Sequence, residues 1–170
     1  MNMKLIGAAM IVATCVSIGI KMVSGFLRQE KQLEQLVQCL NYVKCELQYK
    51  LVPLSSLFYQ CASIGSGPVS TFFHNLCKEL DSQVYPDAGC CVKAALVRSQ
   101  ELSESVVRIL TQLGYTLGCF DLDGQMLGIE EALQSCQREL ELLRSTKPVR
   151  IRNCQTLSLC AGAALVILFI

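Results

Sequence analysis

Gln32-Leu33-Glu34-Gln35-Leu36-Val37-Gln38-Cys39-Leu40-Asn41-Tyr42-Val43-Lys44-Cys45-Glu46-Leu47-Gln48 decides the fold class. Apolar residues at 33, 36, 37, 40, 43 and 47 recur at helical spacing, with Gln32, Glu34, Gln35, Asn41 and Gln48 between them. That is one amphipathic helix with a single buried face. It ends near Tyr49, ahead of Pro53. Pro53 fits the first turn of a short helix burying Leu54, Leu57, Phe58 and Cys61. Residues Ser63 to Gly67 read as a loop. Pro68 opens a helix with Val69, Phe72, Phe73, Leu76 and Leu80 inward. Tyr85-Pro86-Asp87 is a break, and Asp87 is placed to cap a helix over Ala88 to Arg98. Ser103 is placed to cap a helix bearing Val106, Val107, Leu110, Leu113 and Leu117. A last one starts near Gly124 and buries Ile129, Leu133, Cys136, Leu140 and Leu143. No segment alternates with period two between hairpin turns. The expectation is an all-α, compact bundle of about six helices with short connections.

Outward from the opening helix, each end of the chain carries a long uncharged run. Leu5 to Ile20 holds 16 residues without a charge, and Asn153 to Ile170 holds 18. A spanning helix needs about 20 apolar residues, so both runs are short but usable, the first with Lys21 snorkelling and the segment continuing to Leu27. The expected organisation is an N-terminal transmembrane helix at 1–27, a helical domain at 28–152 and a C-terminal transmembrane helix at 153–170. Arg28 and Lys31 follow the first run, and Lys147, Arg150 and Arg152 precede the second; by the positive-inside rule they place the middle in the cytoplasm. The first and last helices then approach each other, because both enter one bilayer from the same side. Pro148 sits just before the second run. A cleaved signal peptide, with Val23 and Gly25 as a weak cleavage pair, is the competing reading of the first run, and would make this a secreted protein with a C-terminal anchor.

Composition excludes several function classes. The middle carries 13 basic residues once Lys4 and Lys21 are set aside, against all 14 acidic ones, a net charge of −1. Nucleic-acid binding needs a concentrated basic face, and none is visible. The 11 cysteines are odd in number and include no C-x-x-C. They read as reduced thiols filling apolar faces rather than as a disulfide scaffold. A membrane-anchored thiol-redox protein is the rival they raise, but the adjacent Cys90 and Cys91 point in different directions on a helix.

Chemistry is scarce. His74, the single histidine, shares a helix face with Cys77, and two ligands fall short of the four, or three plus water, that zinc takes. No G-x-S-x-G turn or phosphate-binding glycine loop occurs. Cys119-x-Asp121-x-Asp123-Gly124, with Glu130 after it, follows the spacing of a calcium loop. Its first ligand position holds a thiol, a poor ligand for a hard cation. The segment reads instead as an inter-helix turn in which Asp121 or Asp123 caps the next helix. No cofactor and no metal are expected.

Two segments are singled out. Leu113-Gly114-x-x-Leu117-Gly118-x-x-Asp121-x-x-x-Gln125 puts two glycines four apart, where another helix comes close or this one ends. Glu46-x-x-Tyr49-x-x-x-Pro53-Leu54 joins a charged helix end to a tight turn. Together with the opening Lys4-Leu-Ile-Gly-Ala8 and the closing Leu157-Ser-Leu-Cys-Ala-Gly-Ala-Ala-Leu-Val-Ile-Leu168, their order and spacing resemble the stage III sporulation protein AB family of endospore-forming bacteria. The resemblance covers essentially the whole chain. This sequence departs from the pattern in its cysteine richness and in a Cys in the last run where Leu-Gly is more usual.

The resemblance implies a mother-cell membrane protein around the engulfed forespore. It implies a place in an eight-protein, secretion-like channel between the two cells, needed for late forespore gene expression. It also implies a cytoplasmic domain similar to the type II secretion F-type platform domain. The implied partners are a cytoplasmic secretion-type ATPase, the other membrane proteins of the channel and the lipid bilayer. On that basis the chain is expected to be a non-enzymatic adaptor. Glu46, Tyr49, Pro53 and Leu54 would form the partner-binding edge, and Gly114, Leu117, Gly118, Asp121 and Gln125 the helix junction.

Overall fold

The computed structural model describes the backbone of residues 2–49, 53–117 and 122–169, with side chains mainly over 23–48, 53–117 and 123–146. Among the described residues there are six α-helices and no strand: α1 (Asn2–Tyr49), α2 (Leu54–Ile64), α3 (Gly67–Ser82), α4 (Ala88–Arg98), α5 (Glu104–Thr116) and α6 (Leu122–Phe169). The all-α expectation holds. Among the described residues no helix is long and apolar enough to cross a membrane. The two expected spans, at 1–27 and 153–170, fall mostly on residues whose side chains lie outside the described set.

The chain divides into two compact units. One is Gln29–Glu141, and the other combines Met1–Arg28 with Leu142–Ile170. In the second unit Ser24 and Gly25 do not interrupt α1. The Ser24 hydroxyl donates to the Lys21 carbonyl at 2.9 Å, so it satisfies itself within the helix. Pro148 does not interrupt α6 either. Proline gives up one backbone hydrogen bond there, which a long helix tolerates at a cost.

In the first unit α2 packs on α3, α3 on α4 and α4 on α5. The core is built from Leu33, Leu36, Leu40 and Val43 of α1, Leu57 and Phe58 of α2, Phe72, Phe73 and Leu76 of α3, Leu110 of α5 and Ile129 of α6, all at most 3 % exposed. Phe73 is the aromatic hub. Its ring stacks on Phe58 at 5.8 Å and meets Phe72 edge-on at 5.3 Å. Burial of each such ring stabilises the fold by about 1.5–3 kcal/mol.

Local chemistry sets the helix ends. The Asp87 carboxylate accepts from Cys90 N at 2.6 Å and caps α4. The same bond holds the Asp87 carboxyl below its ordinary value. Gly65 and Ser66 alone separate α2 from α3, a shorter loop than the sequence suggests, because Gly67 takes a positive φ of 60° and Pro68 follows at once with a helical φ. Ser103 is the N-cap residue of α5, but its hydroxyl makes no capping bond.

The α4–α5 loop is tied down from α1 instead. Gln32 is 3 % exposed, not solvated as its place between apolar positions implied. Its side chain donates to the Glu101 carbonyl at 2.9 Å and accepts from Ser103 N at 2.8 Å. Gln29 donates to the Ser105 hydroxyl at 2.6 Å. One face of α1 is thus sticky for loop backbone. Glu79, also buried, is neutralised by Arg98 at 2.7 Å, which ties α3 to α4.

Candidate partner-binding surface

The C-terminal end of α1 lies beside the first turns of α6. Lys44 Nζ meets Glu130 Oε1 at 2.8 Å across them. Just beyond that pair is an open groove of about 490 Å³, lined by Leu47 and Gln48 of α1 and by Asp123, Met126, Leu127 and Glu130 of α6. Leu127 is 62 % exposed and stands at its rim, while Leu47 is buried. The groove thus has apolar contact area with carboxylates around it and lacks the convergent polar groups of a small-molecule site.

None of the residues singled out in the two sequence segments is among those lining the groove, though Glu46 and Gln125 adjoin lining residues along the chain. Glu46 is half-buried on α1, one residue before the groove. Tyr49 closes α1, though its side chain lies outside the described residues. Pro53 is exposed as the residue before α2, and its carbonyl accepts from Ser56 N at 3.0 Å. Leu54 is half-buried at the start of α2. Gln125 is half-buried in the opening turns of α6, between the groove residues Asp123 and Met126.

Gly114 and Leu117 do another job. Leu117 is 2 % exposed and closes α5, its N–H donating to Leu113 O at 3.0 Å. A Cβ on Gly114 would lie 3.0 Å from Val92 of α4, and one on Gly89 of α4 would lie 3.0 Å from the Gly114 carbonyl. The α4–α5 crossing therefore depends on missing side chains. Gly118 and Asp121 fall in the segment outside the described residues, as does Cys119 of the calcium-like loop.

Sequence reasoning missed Leu127, Gly89 and Gly128. Leu127 carried a legible signal: an apolar residue off the 129, 133, 136, 140 face. Gly128 is buried, and a Cβ there would lie 2.6 Å from Thr116 Cβ, so α5 and α6 touch through it.

The remaining polar chemistry does not assemble. His74 is exposed on α3, whereas Cys77 is buried and its thiol faces Ser55 O at 3.7 Å. Among the described residues no three His, Cys, Asp or Glu side chains are grouped to hold a metal ion. Burial pushes the Cys77 thiol up to about 11 and the Cys136 thiol up to about 12. Such thiols stay protonated near neutral pH and act as small core residues.

Comparison with known proteins agrees with the sequence pattern. The stage III sporulation protein AB family profile matches residues 4–170. The chain belongs to the stage III sporulation protein AB family. It is 27 % identical over 173 residues to the stage III sporulation protein AB of Bacillus subtilis (strain 168), covering 98 % of both chains. It is also similar to a solved structure of stage III sporulation protein AB (SpoIIIAB), with a TM-score of 0.65 and 26 % identity over 72 % of this chain and 98 % of that one. Membership gives the chain a role in sporulation. The helical bundle and the groove at the α1–α6 end are accordingly features of a sporulation protein.

Proposed function

We propose that the chain is a non-enzymatic membrane adaptor in a secretion-like channel between mother cell and forespore. The uncharged runs 5–20 and 153–170 anchor it in the mother-cell membrane, and the flanking Arg28, Lys31, Lys147, Arg150 and Arg152 keep the bundle in the cytoplasm. There it docks a cytoplasmic secretion-type ATPase and passes its movement to other channel proteins in the bilayer. The observation that carries this reading is a family match that runs from residue 4 to residue 170 and so includes both uncharged runs. An adaptor needs a contact surface more than a reaction centre, and the α1–α6 groove, with exposed Leu127 at its rim and Glu46 and Gln125 adjoining its lining residues along the chain, supplies a candidate. The turn at Pro53 and Leu54 lies next along the chain.

Substitution at the groove tests it. Glu46→Arg and Leu127→Asp should each abolish pull-down of the ATPase from sporulating cells while leaving the helical circular dichroism unchanged. Leu127 is exposed, so its replacement leaves the core intact. Full binding by both variants would remove the groove from the interface.

A further inference from the structure

A pair of thiols at the α1–α2 contact has no part in the groove. Cys39 of α1 and Cys61 of α2 are both 0 % exposed. Cys39 Sγ lies 3.6 Å from the Cys61 carbonyl oxygen, and Cys61 Sγ lies 3.6 Å from the Cys39 carbonyl oxygen. Each thiol thus reaches the other residue's backbone, so the two side chains lean across the same point of helix contact. Cys77 turns away toward Ser55, which leaves Cys39 as the facing partner of Cys61. Disulfide formation requires two such side chains directed at one another from closely spaced backbones.

We propose that Cys39 and Cys61 are a redox pair that closes to a disulfide between α1 and α2 under peroxide. The neighbouring Cys61 side chain lowers the Cys39 thiol from its ordinary value, whereas Cys61 is raised by its Cys39 neighbour and by burial. In the proposed step Cys39 is the attacking sulfur. Its thiolate attacks one oxygen of hydrogen peroxide and the O–O bond breaks. Cys39 becomes a sulfenic acid, and the departing hydroxide leaves as water with the proton that Cys39 released. Cys61 sulfur then attacks the sulfenic sulfur. The S–S bond forms, and the hydroxyl leaves as water with the Cys61 proton. Two thiols lose two electrons, and one peroxide is reduced to two waters. The product staples α2 to α1 within the stretch between Glu46 and Pro53–Leu54 on one side and the α2–α3 loop on the other.

The test uses the full chain in detergent micelles, treated with hydrogen peroxide, trapped with an alkylating reagent, digested and mapped by mass spectrometry. The wild-type protein should give a linked peptide joining Cys39 to Cys61, two hydrogens lighter than its parts and lost on reduction. Cys61→Ser should give no link and a sulfenic acid on Cys39 that dimedone captures. The wild-type map decides the matter even where that variant folds poorly. Recovery of Cys39 and Cys61 as alkylated thiols while the exposed Cys45 is oxidised would overturn the proposal. So would a link from Cys61 to Cys77.

Discussion

The α1–α2–α3 side of the bundle and the α4–α5–α6 side are held by different means. The first is filled. Phe58, Phe72 and Phe73 are at most 2 % exposed and interlock as rings. The second also buries apolar side chains, among them Val106, Leu110 and Leu113, but adds close approach at glycines. A Cβ would collide with Thr116 at Gly128, and would sit tightly at 3.0 Å against the Gly114 carbonyl at Gly89 and against Val92 at Gly114. Filling stabilises through area removed from water, and deletions leave a cavity. Emptying stabilises through close approach, and additions force helices apart. The aromatic positions of the first side and the glycine positions of the second should therefore respond to mutation with opposite dependence on side-chain size.

The largest effect should come from Phe73→Ala. Loss of a buried ring costs about 3–5 kcal/mol, which in a chain of this length lowers the thermal midpoint by roughly 10 °C. A circular-dichroism melt of the full chain in detergent checks it. A loss under ~1 kcal/mol would mean that the aromatic side collapses to fill the gap. The smaller and more discriminating effect is Gly128→Ala. Alanine gains about 1 kcal/mol of helix propensity over glycine, so an open site would be stabilised. Here the new Cβ meets Thr116 Cβ at 2.6 Å, and a net loss of about 1–2 kcal/mol is expected from overpacking. Thr116→Gly in the same chain should restore most of that loss. A stabilising Gly128→Ala would show that α5 and α6 are not in close contact there.

The same contrast explains what could be read from the sequence. Apolar periodicity reports which face leaves water, so α1 to α6 and most of the filled side were legible, from Leu33, Leu36, Leu40 and Val43 through Phe72 and Phe73. The face was still drawn slightly off, since Val37 is half-buried while Cys39 is fully buried. A thiol scores as an ambiguous residue in a pattern but packs as a small hydrophobe. Periodicity is blind to glycine contacts that lie between apolar positions, so Gly89 and Gly128 passed unread although Gly114 stood out. It is equally blind to demand from loop backbone. Gln32 is buried because Glu101 and Ser103 need partners, and nothing within α1 announces that. The candidate surface was not legible: Glu46 and Gln125 only adjoin it along the chain, and it takes the folded chain to bring Leu47 and Gln48 near Asp123, Met126 and Leu127.

The most direct measurement is affinity purification of the full chain from sporulating cells in mild detergent, with mass spectrometry of the bait and of everything that accompanies it. The adaptor reading predicts an uncleaved bait that begins at its native N-terminus, together with a secretion-type ATPase and membrane proteins of the channel. A bait cleaved near Gly25, or an intact bait that brings neither ATPase nor channel proteins, would contradict it.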